Sequence, residues 1–209
     1  MNTSLLIEGM RRLSVNLPDS GLAKLEIYYQ ELELFSSRLN LVNAQEDALI
    51  IEHFLDCLAG VPELKRLNPE TVLDAGSGAG FPGVVLAIAF PDMQFTLLER
   101  SGKRSTFLKN CTAAAGLHNV RVVQNDLSNL REQFDIVTLR AFRSFAEFFH
   151  QLTLHLNEEG RVFAYKGKKE MAKQEAEFAE KQGWKAELNP LDVPFLNKER
   201  HLLIIRQNN

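Results

Sequence analysis

The residues best suited to chemistry sit together in one stretch. Asp74-Ala75-Gly76-Ser77-Gly78-Ala79-Gly80-Phe81-Pro82-Gly83 places a carboxylate beside alternating glycines. The β-branched run Thr71-Val72-Leu73 precedes it and the apolar segment Val84 to Phe90 follows, with Pro82 suited to a first helical position. This is a strand, a tight turn and a helix, a geometry that aims backbone N–H groups at a ligand and lets the main chain approach it closely. Gly78-x-Gly80-x-x-Gly83 also matches the dinucleotide fingerprint, which alone could mark a simple chain reversal. Asp74 narrows the choice of ligand. A dinucleotide turn has no use for a charge there, whereas S-adenosylmethionine carries both a sulfonium and an ammonium. Glu99 closes the next apolar run, Gln94 to Glu99, where an acid accepts ribose hydroxyls. Glu99 therefore points to an adenosine ligand without choosing its class, and Asp74 favours S-adenosylmethionine.

Other chemistries lack their residues. No Gly-Lys-Ser/Thr follows the glycines, and no Gly-x-Ser-x-Gly elbow occurs. His53, His118, His150, His155 and His201 show no metal-ligand spacing, so no metal is expected. Cys57 and Cys111 stand far apart and read as core residues of a reduced, cytosolic protein. The chain has 209 residues with 45% hydrophobic and 24% charged, and its net charge of −3 advertises no polyanionic partner by itself. The distribution of charge is more informative. Arg100, Lys103 and Arg104 follow the second strand, and Arg140 and Arg143 the fourth. Lys166, Lys168 and Lys169 follow the fifth, and Lys198 and Arg200 precede the last. If these sites share the carboxyl edge of one sheet, a phosphate-bearing substrate is expected at that rim.

The elements that must position these residues follow from periodicity. Strands are predicted over Thr71–Ala75, Gln94–Glu99, Val120–Gln124, Phe134–Leu139, Arg161–Lys166, Lys185–Leu188 and His201–Arg206. Helices are predicted over Pro82–Phe90, Lys103–Ala115, Phe145–Leu156 and Lys168–Gln182. The alternation predicts an α/β fold, a mostly parallel sheet with helices on both faces and an antiparallel final pair. Residues 1–66 read as a helical N-terminal region packed on the core, and 67–209 as the main domain. One helix there starts at Asp19 or Ser20, with Leu22, Leu25, Tyr28/Tyr29, Leu32 and Phe35 inward, and another spans Asp47 to Leu58. Within the second, His53 and Asp56 share a side, where a mutual hydrogen bond would steady the helix. Leu5-Leu6-Ile7 is too short for a signal or a membrane span, so a soluble, cytoplasmic protein is expected, with a monomer as the default.

From Leu39 to Arg206 the chain resembles the bacterial 16S ribosomal RNA guanine-N7 methyltransferase family (RsmG/GidB). The resemblance rests on Asn40-Leu41, His53-Phe54-Leu55-Asp56, Asp74 through Gly83 with Phe81-Pro82-Gly83, and Gly102-Lys103-Arg104 with Phe107-Leu108. It continues in Arg140-Ala141-Phe142, Tyr165-Lys166-Gly167 and Arg200-His201-Leu202. It implies a class I S-adenosylmethionine-dependent methyltransferase (Rossmann-like) fold that methylates N7 of one guanine in the decoding-region loop of 16S rRNA, alone or in the small subunit. By matching position, Gly76 and Phe81 would line the cofactor site, Arg140 would border it, and Leu127 and Ser128 would meet the adenine end; Asp74, Gly78 and Glu99 are expected there from the turn and the second strand themselves. Arg140 and Lys166 are the expected catalytic residues; Lys103, Arg104, Arg143, Lys166 and Arg200 are the expected RNA contacts. Ser128 stands where relatives carry an acid, Glu99-Arg100 replaces a commoner Asp-Ser, and Val42 replaces a Thr. Guanine N7 has a lone pair and no proton, so in-line attack needs no general base. Two other readings share the turn: an NAD-dependent oxidoreductase and a non-catalytic RNA-binding module.

Overall fold

Seven runs rich in β-branched and aliphatic residues pair into one sheet, in the order β3-β2-β1-β4-β5-β7-β6. The computed structural model describes residues 1–141 and 145–208. The strands are β1 (Thr71–Ala75), β2 (Gln94–Leu98), β3 (Val120–Val123), β4 (Phe134–Arg140), β5 (Leu156–Lys166), β6 (Trp184–Pro190) and β7 (His201–Gln207). β1 to β5 run parallel, while β7 pairs antiparallel with both β5 and β6. The order reverses between β1 and β4, and ligands of open α/β sheets bind at the carboxyl ends of strands flanking such a reversal. Register brings those ends level: Ala75 lies beside Leu98, Asp74 beside Thr138, and Arg140 beside Tyr165. The sequence alone started β5 at Arg161. Pairing of Phe134 with Leu156, across a register shift before Ile136, carries the strand back to Leu156, and the preceding helix, Phe145–Leu154, stops short of Leu156.

Helices α6 (Gly83–Ala89) and α7 (Gly102–Ala114) cover one face of the sheet; α8 (Phe145–Leu154) and α9 (Lys169–Lys181) cover the other. The N-terminal helices join the first of these layers. Two of them escaped the sequence reading, α1 (Thr3–Arg12) and α5 (Val61–Leu67). The side chain of Asn2 caps α1, Leu6 is buried, and Gly9 lies against Leu55. Helix α2 (Gly21–Leu39) follows the predicted spacing, and Tyr28 reaches from it to donate to the Ala79 carbonyl at 2.7 Å. Leu39, Leu41 and Val42 pack against the same core. The predicted Asp47–Leu58 helix is interrupted: α3 (Glu46–Leu49) and α4 (Asp56–Leu58) flank a π-helical turn over Ile50–Leu55. Such wide turns recur where a helix must re-aim side chains.

The glycine turn is packed from behind. A Cβ on Gly83 would fall 2.5 Å from Asp74 Oδ2 and 2.9 Å from Asp74 Cβ, and also press on Leu97. Neither strand can yield without disturbing the sheet. Gly83→Ala is expected to destabilise by about 3 kcal/mol, lowering the midpoint of a thermal melt by roughly 6–12 °C.

Candidate active site: two clefts that meet at Arg140

The chain that leaves β1 turns at Gly76 (φ 74°), Gly78 (φ 57°) and Gly80 (φ 105°), conformations that side-chain-bearing residues adopt at a cost. The N–H groups of Gly76 and Ser77 both donate to the Leu98 carbonyl at 2.9 Å, holding the turn to β2. Glu99 holds it from the other side. Its Oε2 accepts from Gly78 N at 2.9 Å and its Oε1 from Ser101 N at 2.7 Å. Each carboxylate oxygen keeps a further acceptor site, and Glu99 still lines the adjoining cleft. That cleft, about 330 Å³, is walled by Gly76, Leu98, Glu99, Arg104, Asp126 and Leu127, among others. Two acids, two leucines and three arginines, Arg100, Arg104 and Arg140, surround a bare glycine backbone, a lining that suits a hydroxyl-bearing, partly apolar, zwitterionic ligand such as S-adenosylmethionine.

The site differs from the sequence reading at several residues. Asp74 was expected beside the ligand, yet it is 1% exposed and borders neither cleft, and its Oδ2 accepts from Gly83 N at 3.2 Å. Strand alternation turns its side chain behind the loop. Gly78 likewise is tied to Glu99 rather than lining the cleft. Phe81 is buried in an aromatic group with Tyr28, His53 and Phe54. It carries the Arg140 guanidinium over its ring at 4.9 Å, so it supports the site from beneath instead of lining it. Ser128 is exposed, and its N–H and hydroxyl both donate to Asp126 Oδ1, at 3.1 and 2.8 Å. An acid does line that end of the cleft, Asp126, two residues earlier. The Ser128 N–H holds its carboxyl below the usual range.

A second cleft, about 430 Å³, opens on the other side of Arg140 and Ala141. Both clefts share these two residues. The second is walled by His53, Asp56, Tyr165, Lys166, Lys168 and Arg200 together with Glu52 and Met171. Asp56, 3% exposed, binds two guanidiniums: Oδ2 takes Arg140 Nη1 at 3.1 Å and Oδ1 takes Arg200 Nε at 3.0 Å. Arg140 also donates from Nη1 to the Glu52 carbonyl at 3.2 Å and from Nη2 to His53 Nδ1 at 2.5 Å. His53 and Asp56 do not bond each other; each turns instead to an arginine more than eighty residues away in sequence. Burial, reinforced by Arg140 and Arg200, pushes the His53 imidazole down to about 3, so the ring is neutral at physiological pH. Burial also pushes the Asp56 carboxyl up, against the pull of the two arginines.

The expected RNA contacts are distributed unequally. Arg104 lines the first cleft and Lys166 and Arg200 the second, whereas Lys103 is exposed and borders neither. Lys166 is paired with Glu175 at 2.6 Å and lies over the Phe145 ring at 4.8 Å. Arg143 lies outside the described residues.

The sequence profile of rRNA small subunit methyltransferase G (GidB) matches residues 21–203. The chain belongs to this family. Similar curated relatives are the ribosomal RNA small subunit methyltransferase G of Borrelia hermsii, 37% identical over 94% of this chain and 95% of the relative, and that of Treponema denticola, 36% identical over 99% and 95%. The fold is the Rossmann-like one of class I methyltransferases, with helices on both faces of a mixed sheet. Precorrin-6y C5,15-methyltransferase from Geobacter metallireducens superposes with a TM-score of 0.58 at 18% identity, covering 80% of this chain and 91% of that one.

Within this family member, the buried Asp74 has a consequence for stability. Burial pushes its carboxyl up to about 7, despite hydrogen bonds from Ser77 and Gly83 that favour the anion. The folded state therefore holds this proton more tightly than the unfolded chain. Stability from this group is greatest below the ordinary carboxylate value, about 4, and declines as pH rises toward about 7. Asp74→Asn removes that decline. Denaturant titrations at about pH 5 and about pH 8 should show the wild type losing about 3 kcal/mol more than the variant across that interval.

No described helix is long and apolar enough to cross a membrane, and no cluster of His, Cys, Asp and Glu among the described residues could hold a metal ion.

Proposed function

We propose that the protein transfers the methyl group of S-adenosylmethionine to N7 of a guanine in the decoding-region loop of 16S rRNA, as its family description and relatives suggest for the small subunit. The position of Arg140 carries this reading: it forms the wall common to the cleft at the glycine turn, which holds Glu99 and Asp126, and a cleft bordered by Lys166, Lys168 and Arg200. The first suits the cofactor, the second a nucleotide. S-adenosylmethionine, when bound, supplies an electrophilic methyl group. The chain supplies position. Glu99 and Asp126 offer acceptors for ribose hydroxyls, and the glycine turn leaves its backbone open to the ligand. Lys168 and Arg200 stand where they can hold phosphates flanking the target, and Lys166 can join them by exchanging Glu175 for a phosphate.

Guanine N7 has an in-plane lone pair and no proton to lose, so no general base is required. Holding it about 3–3.5 Å from the reacting carbon can lower the barrier by roughly 7–11 kcal/mol. The product base is cationic, and the Arg140 charge beside it is balanced by Asp56. A guanine in a loop can be unstacked into the second cleft at modest cost. One chain furnishes the residues of both clefts, so a monomer suffices. Mapping N7-methylguanine in 16S rRNA from cells with and without the gene tests the reading. The modification should vanish with the gene, and its persistence would refute the assignment. Calorimetry should show binding of S-adenosylmethionine and none of NAD.

A further inference from the structure

We propose that His53 reads the target base, its neutral Nε2–H donating to guanine O6; this rests on the guanine-N7 reading above. Arginine can only donate hydrogen bonds. The contact of 2.5 Å between Arg140 Nη2 and His53 Nδ1 therefore makes Nδ1 the acceptor, which puts the ring proton on Nε2. The neutral state favoured by burial agrees with that tautomer. Phe81 packs against the imidazole with ring centroids 5.0 Å apart, and Arg140 grips its edge, so the ring is held on two sides. Nε2 has no partner among the described residues and is not sealed from solvent, while the residue lines the second cleft.

The chemistry of the base explains why a donor belongs there. O6 and N7 share one edge of guanine, so a base presenting N7 across Arg140 presents O6 to the same wall. Arg140 directs donors at the Glu52 carbonyl, at Asp56 and at His53. An imidazole N–H grips O6 without adding charge while the base becomes cationic. It also rejects adenine, which carries an amino group in place of O6 and would oppose donor to donor.

The test pairs protein variants with a base analogue. Small subunits reconstituted with either guanine or 2-aminopurine at the target position differ at that edge by O6 alone, with N7 retained. Wild-type kcat/KM should fall on the analogue through a weaker N7 nucleophile, a loss common to every variant, and by about tenfold more through the lost hydrogen bond. His53→Phe retains a flat ring against Phe81, and His53→Asn retains an acceptor for Arg140. Both should lose about tenfold on guanine, discriminate against 2-aminopurine about tenfold less than the wild type does, and bind S-adenosylmethionine with unchanged Kd by calorimetry. If both variants discriminate against the analogue as strongly as the wild type does, His53 and O6 act independently and the proposal is overturned. A weakened cofactor Kd in both variants would overturn it as well, by showing that His53 acts through Arg140 and the first cleft. Should the wild type methylate an atom other than N7, the underlying reading fails, and that outcome is recognisable from the wild type alone.

Discussion

Arg140→Ala is expected to lower methylation of small subunits by about a thousandfold. The side chain is the wall between the two clefts, and its guanidinium is fixed by the Glu52 carbonyl, Asp56, His53 and the Phe81 ring. Alanine merges the clefts, admits water where the methyl group must pass, and frees His53. Misplacement of a reacting group by about 1 Å can cost a hundredfold, and loss of the charge-compensated wall adds to that. Stability should fall too, but by less than the removal of a buried ion pair commonly costs, about 3–5 kcal/mol. Asp56 keeps its bond to Arg200 Nε at 3.0 Å, so about 2 kcal/mol is expected. Arg140→Lys retains the charge but not the fork of donors, and should recover little activity. Single-turnover rates beside a urea titration separate the two effects. A variant within tenfold of wild type would remove Arg140 from the reaction path.

Glu99→Ala should weaken binding of S-adenosylmethionine by about a hundredfold while leaving the KM for ribosomal substrate near its wild-type value. Its carboxylate has two duties, closing the turn through Gly78 N and Ser101 N and presenting acceptors to the first cleft. Alanine leaves two backbone donors unmatched and takes the ribose acceptors away. Hydrogen bonds to a charged group contribute about 1.5–3 kcal/mol each, so a loss of about 3 kcal/mol in cofactor binding is a moderate expectation. Glu99→Gln is a sharper probe. Its amide offers one oxygen and one N–H, and the N–H must oppose either Gly78 N or Ser101 N. Calorimetry that found either variant binding as tightly as wild type would exclude Glu99 from the cofactor site.

The fold was legible because its signals are local. Alternating strand and helix patterns, the glycines after β1 and the acid after β2 each arise within a few residues, and each specifies its geometry through backbone sterics. The antiparallel pairing of β6 and β7 was legible for the same reason, since only a short loop containing Pro194, with no helix in it, joins them. The turn positions of Gly76, Gly78 and Gly80 needed no tertiary information either, because φ values of 74°, 57° and 105° are what glycine allows. Helix α1 was missed because Leu6, its one fully buried apolar side chain, sits in the short run Leu5-Leu6-Ile7, and the fit of Gly9 against Leu55 exists only in the fold.

Side-chain direction is where the sequence stops. The order of residues established an acid before the glycines, an acid at the tip of the second strand, and arginines and lysines after the fourth and fifth. It could not say that Asp74 turns inward to Gly83 while Glu99 turns to the cleft, because that depends on which face of the sheet each strand end presents. Nor could it pair His53 and Asp56 with Arg140, or Asp56 with Arg200. Those partners lie 87, 84 and 144 residues apart, and chain entropy gives no preference among such distant contacts until the sheet and its covering helices are packed. The glycine turn belongs to the sequence; the shared wall at Arg140 exists only because folding delivers a wide helical turn to the end of the fourth strand.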